Sequence, residues 1–144
     1  MTARLALAAF CVLSIAADAP DKADLGAIQG TWVLSAMESE GEDVPKEHFK
    51  AWTAEYQGNR VTLRDGERVR RRGIVTLDPS RNPKAVNTWD QDGPYEDRTV
   101  PGIYEVDGDT LKLCFARPGD ERPKAFTTKE GSGFLFCVYK RKKH

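Results

Sequence analysis

The chain has 144 residues, 40% of them hydrophobic and 31% charged, with 22 Lys and Arg against 22 Asp and Glu. That is the length of one domain, too hydrophobic for a disordered chain and too balanced in charge for a polyanion binder. No apolar run reaches the roughly 20 residues of a membrane span, so a small soluble globular domain is expected.

Residues 1–17 read as a secretory signal peptide. Arg4 is the only charge before Asp18, residues 5–17 are apolar, and small side chains stand at Ser14, Ala16 and Ala17 where a signal peptidase needs them. Cleavage after Ala16 or Ala17 fits best; Ala17-Asp18-Ala19 also has the small-x-small form, but Pro20 would follow the cut. The alternative is a buried N-terminal helix. Bulky Phe10 before Cys11 argues against a lipid-anchored start, so a free exported protein in the periplasm or cell envelope is expected. Removing 17 of the 144 residues leaves 127 and takes away only Arg4 among the charges. The mature chain then carries 21 basic and 22 acidic residues, a net charge of −1, and charge nominates no partner. The segment 18–27 reads as a flexible lead-in, 28–141 as the folded domain and 142–144 as a basic tail.

From Thr31 onward, short alternating segments are separated by turn signals every 8–15 residues, the spacing of an all-β sandwich or barrel. Eight strands are predicted, at 31–38, 53–57, 60–64, 69–77, 85–89, 99–106, 110–117 and 133–140. Gly58-Asn59, Asp65-Gly66 and Gly108-Asp109 supply hairpin turns, and two Pro-bounded loops lie at 78–83 and 117–123. Residues 45–52 form the one short helical stretch, near the N-terminal side, with Pro45 at its start and Phe49 and Trp52 three apart, expected as a lid or plug at a barrel end. Side chains at i and i+2 share a face, which turns Val61, Leu63, Val75, Leu77, Tyr104, Val106, Leu111, Leu113, Phe115, Phe134, Phe136 and Val138 inward. The predicted fold is a single antiparallel up-and-down β-barrel of about eight strands, whose closure removes exposed edges.

Cys114 and Cys137 remain after processing, in a compartment that permits oxidation. Strand parity puts both on the outer face of the last hairpin, where a disulfide contributes about 3 kcal/mol in the chain-entropy model. Two buried free thiols are the alternative.

Gly30-Thr31-Trp32 opens the first strand and Lys140-Arg141 closes the last, a pairing that resembles the lipocalin and wider calycin signature. The resemblance implies that Trp32, entered through Gly30, seals the closed end of the barrel while Arg141 packs across its ring. A longer pattern is more specific: Leu77-Asp78-Pro79-Ser80-Arg81-Asn82-Pro83-Lys84-Ala85-Val86, then Gly102-Ile103-Tyr104-Glu105-Val106-Asp107-Gly108-Asp109-Thr110-Leu111-Lys112-Leu113-Cys114, then Arg122-Pro123, Phe126 and Gly131-Ser132-Gly133. It is similar to a group of small exported lipocalin-like domains abundant in planctomycete-type bacteria, over about residues 28–141. The resemblance implies a β-barrel and brings no substrate, cofactor or catalytic residue with it. Cys114 fits the group's pattern and Cys137 does not, which argues against the bridge.

Chemistry is sparse elsewhere. The mature chain offers only His48 and His144 as imidazole bases, neither in a catalytic constellation, and Ser132 in Gly-Ser-Gly lacks the nucleophile-elbow pattern. Two cysteines 23 residues apart make no zinc motif, and Asp90-Gln91-Asp92-Gly93 lacks the later ligands of a calcium loop. The basic runs 68–72 and 140–143 would suggest nucleic acid in another context. Export, near-zero net charge and the lack of interleaved aromatics argue against it, and the first run reads as a solvated outer face. Trp89 and Tyr95 are placed either at a barrel mouth, touching a ligand, or as a cap on the core.

No metal, cofactor or catalytic residue is therefore expected. The leading function is noncatalytic binding of a small apolar or amphipathic ligand inside the barrel, lined by Val61, Leu63, Val75, Leu77, Tyr104, Leu111, Leu113, Phe115, Phe134 and Phe136. The alternative is a cell-envelope structural or protein-interaction module with a filled interior and an exposed apolar patch around Trp52, Trp89 and Tyr95.

Overall fold

Each long strand pairs antiparallel with its chain neighbours, whether a two-residue turn or a longer loop joins them, in the computed structural model, which describes residues 20–143. In chain order the strands are β1 (Gly30–Ser39), β2 (Glu42–Asp43), β3 (Trp52–Gln57), β4 (Arg60–Asp65), β5 (Arg68–Asp78), β6 (Ala85–Asp90), β7 (Thr99–Asp107), β8 (Thr110–Phe115) and β9 (Leu135–Arg141). β2 is a stub folded back on the end of β1. β1 pairs antiparallel with β3 on one side and with β9 on the other, which closes β1 and β3–β9 into an eight-strand up-and-down barrel. Gly58, Gly66 and Gly108 each open a two-residue loop at φ of 61°, 61° and 55°, where a side chain would strain the turn. The second of these loops is Gly66-Glu67, one residue later than the sequence suggests, because Asp65 stays in β4.

The two barrel ends differ. One is sealed by Trp32, which is fully buried, with Ile28, Tyr56, Val61, Val75, Val86, Tyr104, Leu111 and Leu113 in the same core cluster. The other collects the β4–β5 turn, the loop after β6 and the entry to β9.

Residues 18–27 were expected to be a flexible lead-in. Over Pro20–Ala27 the chain instead forms helix α1, fastened to the sealed end. Asp24 of α1 accepts bonds from Lys84 Nζ at 2.8 Å and from Tyr104 Oη at 2.7 Å. Burial opposes its ionisation, but these two donors outweigh it and hold its carboxyl below the usual range. The helical stretch expected at 45–52 is a single 3-10 turn, Lys46–His48, because Trp52 already belongs to β3; Phe49 behind that turn is buried. Among the described residues no helix is long and apolar enough to cross a membrane. Residues 1–17, read as a signal peptide, lie outside the described ones.

β9 corrects the sequence reading most. Leu113 lies opposite Cys137 and Leu111 opposite Tyr139, so Leu135, Cys137 and Tyr139 face the interior, while Phe134, which precedes the strand, and Phe136 and Val138 do not. The reason is that β9 is apolar on both faces: the loop 116–134 covers its outer side, and Phe126 of that loop packs on Phe136 with ring centroids 6.0 Å apart. Alternation cannot orient such a strand. The proposed Cys114–Cys137 bridge falls with it. Cys114 is opposite Phe136 on the outer face, Cys137 is inside, and both are buried free thiols.

Candidate functional site

At the sealed end, Trp32 Nε1 donates to the Ile28 carbonyl at 2.8 Å and the Arg141 guanidinium lies 4.3 Å from the Trp32 ring centroid. Arg141 Nη1 and Nη2 each donate at 2.7 Å, to the carbonyls of Gln29 and Ala27, and Gly30 turns the chain there at a φ of 102°, which glycine adopts without strain. The cation–π contact and the two carbonyl bonds tie the last strand to the α1–β1 junction. Gly30, Trp32 and Arg141 thus act together, as a closure.

Filling at that end sets what is left at the other. Val61, Val75, Tyr104, Leu111 and Leu113 are consumed in the core around Trp32, and Val75 and Leu77 also border a small recess of about 120 Å³ beneath α1. The open end holds a cavity of about 570 Å³. Its apolar walls are Leu34, Met37, Leu63, Val100, Phe115 and Leu135, with Trp52, Pro94 and Tyr95 toward the mouth. Of the ten side chains predicted to line a ligand site, Leu63 and Phe115 border this cavity; Phe134 and Phe136 lie outside the barrel wall. Trp89 neither caps the core nor reaches the mouth, being 40% exposed on the outer face of β6.

The polar content of the interior is concentrated in one group. Within the run Arg70-Arg71-Arg72, read from sequence as a solvated face, Arg71 points inward: it lies opposite Leu63 and shares parity with Gly73, Val75 and Leu77. Arg72 points out, bonded to Asp92 at 2.9 Å, and the Arg70 guanidinium stands 5.7 Å from the Trp52 ring centroid. Alternation contained this signal, since the middle of three consecutive strand residues faces opposite to its neighbours. Arg71 Nη1 is 3.4 Å from Asp90 Oδ2, and Asp90 is fully buried. Both Asp90 carboxylate oxygens and Arg71 Nε are buried with no hydrogen-bond partner among the described residues. Burial pushes the Asp90 carboxyl up to about 6, with Arg71 pulling it down and Asp92 pushing it up. Cys137 and Tyr139 complete the wall beside Arg71, and burial pushes the Cys137 thiol up to about 12.

Among the described residues, no three His, Cys, Asp or Glu side chains gather as a metal site needs. Nothing matches the chain among protein-family models, curated proteins or solved structures.

Proposed function

We propose that this chain is an exported, noncatalytic binding protein of the lipocalin-like kind, holding a small apolar or amphipathic molecule in the open half of its barrel. The observation that carries this is the cavity itself, about 570 Å³ between mainly apolar walls, within the ~300–1,000 Å³ span of small-molecule sites. A barrel with bulky side chains throughout would leave no such space; here the bulky core residues Trp32, Tyr104, Leu111 and Leu113 lie away from the cavity lining.

Binding rather than catalysis is supported by what faces the cavity. Cys137 is the one thiol in its wall, and with its pKa pushed to about 12 it carries almost none of the thiolate that nucleophilic attack requires. Export rests on the sequence of residues 1–17 and on Asp18 beginning the polar mature chain.

The test is a titration of the mature protein with the neutral fluorescent probe N-phenyl-1-naphthylamine, alongside the variant Leu135→Trp. Leu135 faces the cavity at the entry to β9, so an indole there occupies the binding volume. Saturable one-to-one binding is expected in the parent and a loss of about tenfold or more in the variant, an added bulk in a packed site amounting to ~1–3 kcal/mol. Absence of binding to the folded parent would contradict the proposal.

A further inference from the structure

Four arginines, Arg68, Arg70, Arg71 and Arg117, border the open-end cavity, and no Asp or Glu is among the residues that line it. Around otherwise apolar walls this is a one-sign arrangement, which in a low-dielectric cleft concentrates field on whatever enters. Arg68 and Arg70 make no ion pair with a carboxylate among the described residues, and Arg117 is held by Asp120 at 3.0 Å.

Arg71 differs from the other three in depth. It sits inside the barrel wall, opposite Leu63, with its side chain 22% exposed. Its contact with Asp90, 3.4 Å, is longer than the ~2.7–2.9 Å of a charge-assisted hydrogen bond, and its Nε finds no acceptor among the described residues. Nε is itself buried, so Arg71 meets the cavity through the exposed remainder of its side chain, and none of its donors makes a hydrogen bond among the described residues; a guanidinium without an acceptor on a cavity wall marks where a ligand atom belongs. The fork of a guanidinium matches an oxyanion with two or more equivalent oxygens, carboxylate or phosphate.

Resting on the ligand-binding function proposed above, we propose that the molecule held in the barrel is an anionic amphiphile: its acidic head group accepts from the free donors of Arg71, its hydrocarbon chain lies against Leu34, Leu63, Phe115 and Leu135, and Arg68, Arg70 and Arg117 at the rim draw it in. The head group completes the hydrogen bonding of a cation that Asp90 approaches but does not satisfy.

Calorimetric titration at pH 8 of the mature protein with decanoate, decyl phosphate and 1-decanol tests this, using the parent, Arg71→Met, and the double variant Arg71→Met with Asp90→Asn. The double variant removes both charges together, so it keeps the test open if the single one leaves Asp90 unpaired and fails to fold. At least one acid is expected to bind the parent about tenfold or more tighter than decanol, the scale of a hydrogen bond to a charged group. That preference should vanish in the folded variants while decanol binding is unchanged. A preference for decyl phosphate identifies a phosphorylated amphiphile and a preference for decanoate a fatty acid; both support the proposal. Equal binding of acids and alcohol by the parent, or an acid preference that survives in the double variant, overturns it and leaves the barrel a site for neutral apolar ligands. Binding of none of the three to the folded parent overturns the binding function as well.

Discussion

Arg71 and Asp90 were accessible to the sequence to different degrees. Arg71 could be placed by counting, because Gly73, Val75 and Leu77 fix the inward parity of β5 and Arg71 belongs to it. Asp90 could not, since it stands at the end of a strand poor in apolar residues and next to a loop, where an aspartate ordinarily faces water. Its burial depends on Gly73 directly opposite: a Cβ there would meet Thr88 Cγ2 at 2.7 Å and Asp90 Oδ1 at 3.3 Å. The missing side chain makes the space that the carboxylate occupies. A pH signature follows. In the unfolded chain an aspartate titrates near ~3.9, whereas folded Asp90 holds its proton up to about 6. Between those values the folded state binds the extra proton, so the stability Asp90 contributes is full below about 4 and is lost as pH rises through about 6. Asp90→Asn removes this titration. Thermal unfolding of parent and variant between pH 4 and 7 should show the variant gaining on the parent by about 4 °C or more across that range, a shift equivalent to 1–2 kcal/mol in a chain of this size. Two melting curves that stay parallel would mean that Asp90 is not ionising in the buried position.

Among the elements, the hairpins β3–β4, β4–β5 and β7–β8 were legible because each closes on a Gly-led two-residue turn between alternating strands. β9 was not. Its outer side is covered by the loop 116–134, so Phe136 and Val138 are apolar for a reason unrelated to the barrel interior, and period-two reading assigned them to the wrong face. The loop is held by Arg122, which the sequence marked only as part of a motif. Arg122 Nη1 donates to the carbonyls of Val86 at 2.8 Å and Gly102 at 2.7 Å, and Nη2 donates to Asn87 Oδ1 at 2.7 Å. Thr128 adds a second fastening through Glu38, its backbone N–H and its hydroxyl both donating at 2.8 Å. Beneath the loop Cys114 lies buried, its thiol 3.7 Å from the Thr127 carbonyl and pushed up to about 11 by burial. Arg122→Met should therefore release the loop without opening the barrel. Thiol labelling at pH 8, followed residue by residue by mass spectrometry, is expected to be about tenfold or more faster at Cys114 in the variant and unchanged at Cys137, which faces the interior. Equal acceleration at both cysteines would mean that the arginine holds the barrel rather than the loop.

At the scale of the whole molecule, one barrel is divided between two tasks. The Trp32–Arg141 closure and α1 concentrate the bulky core at one end, and the large residues spent there leave the other end open. The closed architecture was readable in the turn spacing and in the strand count; the division of the interior was not, because alternation tells which side chains point in and says nothing of how deep each lies. Val75 and Tyr104 face inward as Leu63 does, yet Val75 borders the recess beneath α1 and Tyr104 bonds Asp24 of that helix, whereas Leu63 borders the cavity. Native mass spectrometry of the mature protein recovered from its own envelope fraction tests the binding claim most directly. A one-to-one adduct of small acidic mass in the parent, absent from Leu135→Trp purified in the same way, is the result expected. An empty parent that stays empty after exposure to the envelope lipid extract would contradict it, and would make the open half of the barrel a space without a ligand.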